Sequence, residues 1–159
     1  MPDADQCPIH HFLTDQGLSL PTPNAPLANY LGYVDANGFV FISGQGPVYD
    51  GVEIQGKVGD VIDIETAVTA ARWAAVNVLA QLGLACQGDF ERVTGCARLC
   101  GYVNAHPTFD QHPLVVNGAS DLIAGALGDR GRHSRAAIGV ASLPRQWAIE
   151  IDAVFTIAI

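Results

Sequence analysis

Residues 132–159 read RHSRAAIGVASLPRQWAIEIDAVFTIAI, and their pattern decides how the rest of the chain is read. Across 147–159 the odd positions Ile149, Ile151, Ala153, Phe155, Ile157 and Ile159 are apolar. The even positions Ala148, Glu150, Asp152, Val154, Thr156 and Ala158 are smaller and half polar. Alternation with period two marks a strand that buries one face and leaves the other for water or a partner. The stretch before it, SRAAIGVAS, reads as a second strand, with Ala137, Gly139 and Ala141 on the same face as Arg135. Leu143-Pro144 predicts a turn that brings the two strands side by side as a hairpin, and with them Arg135 and Glu150.

Working outward, FERVTGCARLCGYVN predicts a strand centred on residues 94–103, and LVVNGASDLIAGAL a helix ending at Gly128. Between 63 and 83 the period becomes helical: Val68, Ala71, Ala75, Val78, Leu79 and Leu82 recur on one side. Asp63 is a suitable N-cap, Glu65 suits the first turn, and Gly83 is expected to end this helix. Upstream, 31–34 and FVFIS flank a DANG turn, a hairpin signature, and VYDGVEIQGKVG carries an Asp-Gly turn followed by an ordered loop. Residues 1–28 are Pro-rich and read as irregular, with 1–17 an N-terminal arm and 18–159 a single domain. The order β-β-α-β-α-β-β implies an α+β fold: a mostly antiparallel sheet with two helices on one face.

Composition narrows the function. The 159 residues are 49% hydrophobic and 15% charged, with mean hydropathy +0.23. That apolar excess points to surface hidden in an oligomer interface. No run approaches the roughly 20 apolar residues that span a bilayer, and the start lacks a basic signal region, so a cytoplasmic location is expected. A net charge of −8 and a pI near 4.8 are the wrong field for nucleic acid. Cys7, Cys86, Cys96 and Cys100 read as reduced, mostly buried thiols; Cys96 and Cys100 fall on one strand face, about 13 Å apart at a strand's rise. The five histidines show no metal-ligand spacing, so no metal is expected.

Among residues able to do chemistry, Arg135 stands out. Its small neighbours leave room beside a planar guanidinium fork suited to a carboxylate, although pairing with a nearby acid would also explain it. Glu150, beside small residues on a half-buried face, is a candidate general base or a plain partner for Arg135. Tyr30, Ser43 beside Gly44 and Gly46, and Asn117 are weaker candidates that packing alone could explain.

Taken together, NYLGYVDANGFVFISGQGPV, FERVTGCARLCGYVNAHPTF and SRAAIGVASLPRQWAIEIDAVF resemble the RidA/YjgF family, also labelled endoribonuclease L-PSP, over residues 18–159. The wording of 115–144 is closer to a longer bacterial branch. The resemblance implies a chorismate-mutase-like fold and a homotrimer whose ligand sites lie between subunits. It implies hydrolysis of a 2-imino or enamino acid such as 2-aminoacrylate to a 2-keto acid and ammonia, with no metal or organic cofactor. Arg135 then matches the family's carboxylate-binding Arg and Glu150 its water-activating Glu, while Tyr30, Ser43 and Asn117 match cleft-lining positions. Backbone near Gly139 or Ser43 would stabilise the tetrahedral adduct. The implied partners are the chain itself and a small carboxylate metabolite, with neither nucleic acid nor membrane. Departures from the family pattern are Ala137, where many members carry Cys, and the longer loops 104–113 and 128–134. The alternatives are a non-catalytic carboxylate-binding trimer and the nuclease or translation inhibitor of the older label.

Overall fold

The structure is a computed structural model, and it describes residues 7–23 and 28–159. The chain forms α1 (Pro8–Asp15), β1 (Tyr33–Ala36), β2 (Phe39–Gln45), β3 (Val48–Tyr49), β4 (Val52–Glu53), α2 (Ile64–Ala85), β5 (Val93–Asn104), α3 (His112–Leu127), β6 (Ser134–Val140) and β7 (Ile149–Ile157). Five strands make one sheet in the order β1-β2-β7-β5-β6, and β3 and β4 form a small separate hairpin. The sheet is α+β and mostly antiparallel, as expected, but the β5–β6 pair is parallel.

Local chemistry explains these elements. In the β1–β2 turn Asn37 and Gly38 both take positive φ, as a two-residue hairpin turn demands, and Asp35 Oδ1 accepts from the Gly38 N–H at 3.0 Å. Asp50 and Gly51 repeat this geometry in the β3–β4 turn. Asp63 caps α2 by accepting the Thr66 N–H at 2.8 Å, which holds its carboxyl below the usual range. The helix continues past Gly83 to Ala85, because a glycine that keeps helical φ costs it little more than entropy.

Both long helices cover one sheet face. Leu99, Val103, Ile149, Ile151, Ala153 and Phe155 lie buried beneath Ala71, Ala74, Ala75, Leu79, Val115, Ala119 and Leu122. Small residues let the helices approach closely: a Cβ on Gly118 would strike the Val68 carbonyl of α2. The opposite sheet face is mixed. Phe39 and Phe41 remain 48% exposed, while Tyr102 Oη donates to Asp152 Oδ2 at 2.8 Å and Thr94 bonds Thr156 at 2.7 Å.

Three sequence expectations need correction. The Pro-rich stretch is not irregular throughout but contains α1: Pro8 opens it without losing a needed N–H, Ile9 and Leu13 are buried, and Phe12 lies over Gly125 of α3. Residues 1–6 and 24–27 of that stretch lie outside the described residues. Cys96 and Cys100 sit on opposite sheet faces, because a bulge between Cys96 and Arg98 shifts the register; Cys96 pairs with buried Phe155 and Cys100 with Asp152. All four cysteines are free thiols, and burial pushes Cys86 up to about 11 and Cys96 to about 12.

The third correction matters most: β6 and β7 are not a hairpin. β5 lies between them, since α3 returns the chain from β5 to a parallel neighbour in a strand–helix–strand crossover. The connection through Leu143-Pro144 then steps across β5 to reach β7.

Leu13→Ala removes a fully buried side chain from the α1 contact and is expected to cost about 2–5 kcal/mol in urea unfolding. A loss below about 0.5 kcal/mol would mean that α1 contributes no packing.

Candidate functional site

Within one protomer the expected site residues fall into two groups. Glu150 is the second residue of β7, and its side chain lies directly over Gly44 of β2, where any Cβ would collide with the carboxyl. The β2–β7 pairing shifts register between Ile42 and Gln45, and this irregularity opens the strands beside Glu150. There a cleft of about 580 Å³ is lined by Tyr30, Gly44, Gln45, Gln81, Trp147 and Glu150 among others. Burial raises the Glu150 carboxyl above the usual carboxylate range, and the negative charge of Asp152 adds to the effect.

The cleft has a rigid wall. Glu53 on β4 receives both Arg145 Nε at 3.0 Å and Nη2, together with Trp147 Nε1 at 2.9 Å. These bonds hold the Glu53 carboxyl below its usual range, the Arg145 hydrogen bond contributing most. Arg145 and Gln146 both adopt positive φ, strained for residues with a Cβ, and the Gln55 side chain and Gly56 N–H pin their carbonyls. Gly46 has no Cβ because the Trp147 ring occupies that space. Asn77 of α2, buried, donates to the Gly46 and Val48 carbonyls at 3.1 and 2.8 Å and so fixes the cleft floor.

Arg135 stands elsewhere. It pairs with Leu99, so it shares the helix-covered face, whereas Glu150 alternates with buried Ile149 and Ile151 and points to the other face. Its guanidinium reaches α3: Nη1 donates to Asn117 Oδ1 at 2.8 Å and Ser120 Oγ at 3.1 Å, and Nη2 to the Pro113 carbonyl at 3.3 Å. Gly139 lies on the same side, packed so tightly on His112 that a Cβ would not fit. Ser43 flanks the cleft, but its hydroxyl donates to the Leu31 carbonyl at 2.7 Å and anchors the segment before β1. Tyr30 and Glu150 therefore share the cleft, Arg135, Asn117 and Gly139 share the β6–α3 side, and β5 separates the two groups.

The family sequence model described as "YjgF/chorismate_mutase-like, putative endoribonuclease" matches residues 11–150. The chain belongs to this YjgF/chorismate mutase-like family. It is 40% identical over 139 residues to Protein TCP17 of Trypanosoma cruzi, covering 86% of each chain. Its fold is similar to the crystal structure of Atu1372 from Agrobacterium tumefaciens, with TM-score 0.90, 40% identity and coverage of 95% and 93% of the two chains. The YjgF gene product of E. coli has the same fold at 23% identity, with TM-score 0.59 and coverage of 85% and 93%.

In this YjgF-family chain, sequence reading missed the Glu53–Arg145–Trp147 wall and the Asn77 floor. Their contacts span 92, 94 and 31 residues, too far apart for any local period to reveal. Gly46 beside a strand end was the available signal, since it marks a close approach by another group.

The raised pKa of Glu150 has a consequence for stability. A fold that favours the protonated form keeps that contribution below the unfolded-state pKa and loses it as pH rises through the folded value. Glu150→Gln is therefore expected to raise Tm relative to wild type at pH 8, the difference shrinking toward zero near about pH 4. Thermal melts across that range check this; a pH-independent difference would contradict it.

Proposed function

We propose that the protein is a metal-independent hydrolase of 2-imino and 2-enamino acids, working at sites completed between neighbouring protomers of a homotrimer. The observation that carries this reading is the state of Arg135. Its guanidinium is bound by one amide, one hydroxyl and one backbone carbonyl, and among the described residues it has no carboxylate partner. Three hydrogen bonds leave two of the five guanidinium N–H donors, the number that a bidentate carboxylate takes. Arg135 is exposed on β6, the sheet's edge strand, where a second protomer can dock. Glu150 waits in a cleft on the other side of β5, so a substrate touching both would lie between one protomer's edge and its neighbour's cleft.

In this reading Arg135 holds the substrate carboxylate and fixes the C=N carbon beside the neighbouring cleft. Glu150 takes a proton from water as the water oxygen bonds to that carbon, forming a carbinolamine. With the substrate entering as the protonated imine, that carbinolamine is neutral. Glu150 returns the proton to its nitrogen, accepts the hydroxyl proton as the C–N bond breaks to give the 2-keto acid, and passes that proton to the departing ammonia. Burial and the nearby Asp152 charge disfavour the ionised form of this carboxyl, which makes it a stronger base toward water than an exposed carboxylate. The exposed Phe39 and Phe41 on the mixed sheet face support burial against further copies of the chain. With a net charge of −8, the fold offers little attraction to an RNA backbone, which weighs against the nuclease suggested by the family label.

The test is ammonia release from enzymatically generated 2-iminopropanoate. Arg135→Ala should lower kcat/KM by about a hundredfold or more, and Glu150→Gln should lower kcat by about a hundredfold to ten-thousandfold. No acceleration by wild type across several imino acids would leave a carboxylate-binding protein instead. Light scattering that found a monomer would remove the shared site.

A further inference from the structure

We propose that His133 is a positioning residue for Arg135, acting through Ser120; this rests on the reading of Arg135 as a carboxylate anchor. His133 Nδ1 lies 2.6 Å from the Gly131 carbonyl and Nε2 lies 2.9 Å from Ser120 Oγ. A carbonyl can only accept, so Nδ1 carries the proton, and in the neutral imidazole Nε2 must then accept from the Ser120 hydroxyl. With its hydrogen committed to His133, Ser120 Oγ turns a lone pair toward Arg135 Nη1, 3.1 Å away. The bonds run in one direction, Arg135 to Ser120 to His133 to the Gly131 carbonyl, and each donor polarises the next.

Two links of this chain are fixed by α3. Ser120 is part of the helix, and Gly131 lies so close to it that a Cβ would strike the Ile123 carbonyl and the Ala124 backbone. Residues 128–133, the connector between α3 and β6, therefore act as a fixed support for the last acceptor. Asn117, one helical turn before Ser120, holds the same Nη1, so that nitrogen has both hydrogens assigned and the guanidinium plane is set before any ligand arrives. Without His133 the Ser120 hydroxyl is released to donate elsewhere, to a helix carbonyl or to water, and Arg135 loses a fixed acceptor.

Nitrogen-15 NMR of the full-length protein tests the relay without any turnover. In wild type the His133 ring should show a protonated Nδ1 and a bare, hydrogen-bonded Nε2. Rotation of the Arg135 guanidinium, its signal assigned through Arg135→Lys, should be slow. Ser120→Ala and His133→Phe should each speed that rotation about tenfold or more, while His133→Gln, which returns an acceptor near the Nε2 position, should restore it. Unchanged rotation in Ser120→Ala and His133→Phe, or a proton on Nε2 with Nδ1 bare, would overturn the proposal. Slow rotation lost in both variants of a protein that releases no ammonia would sustain the relay and sink the hydrolase reading instead.

Discussion

The placement of β5 governs what this molecule can do. One edge of β5 pairs antiparallel with β7 and the other pairs parallel with β6. That arrangement leaves β6 at the border of the sheet and separates Arg135 from Glu150 by a strand. It also fixes their faces: Arg135 shares the side of buried Leu99, and Glu150 shares that of Tyr102. No rotamer of either side chain can reverse this, because the face of a strand position is set by backbone register. A site using both groups must therefore be assembled from separate copies of the chain.

The two groups are held in opposite electrostatic settings. Arg135 is held by neutral acceptors, so its orientation is specified while its charge stays available. Had an acid filled the same role, the cation would already be neutralised. Arg145 illustrates that opposite arrangement, locked to Glu53 with Trp147 as a second donor, and it serves to brace the cleft wall. Glu150 is the complementary case, a carboxyl whose ionisation the surrounding protein opposes. A carboxyl of this kind suits the base role proposed for it.

Much of the fold could be read locally. The alternation of 149–157, the DANG turn and the Asp63 cap each follow from short-range chemistry, and each appears where the residues require. The errors arose where a local signal was given long-range meaning. Pro144 does mark a turn, but nothing in the segment between Val140 and Ile149 says which strand it must pair with. The informative fact lay upstream: a strand, a helix and a strand in succession favour a parallel crossover, which requires β6 beside β5. α1 is masked by the Pro-rich composition of residues 1–28, although Ile9, Phe12 and Leu13 repeat at helical spacing. Of the site, Arg135 and Glu150 were visible as unusual residues among small neighbours. Their division between two faces, and the Glu53 clamp 92 residues from Arg145, depend on tertiary pairing that no periodicity encodes.

Subunit exchange tests the shared site most directly. Arg135→Ala and Glu150→Gln proteins, each inactive alone, would be mixed, dissociated gently and reassembled before imine hydrolysis is assayed. If each site draws its arginine and its carboxylate from different protomers, random reassembly restores about a quarter of the sites and of the activity. A reassembled mixture as inactive as its parents would contradict the account.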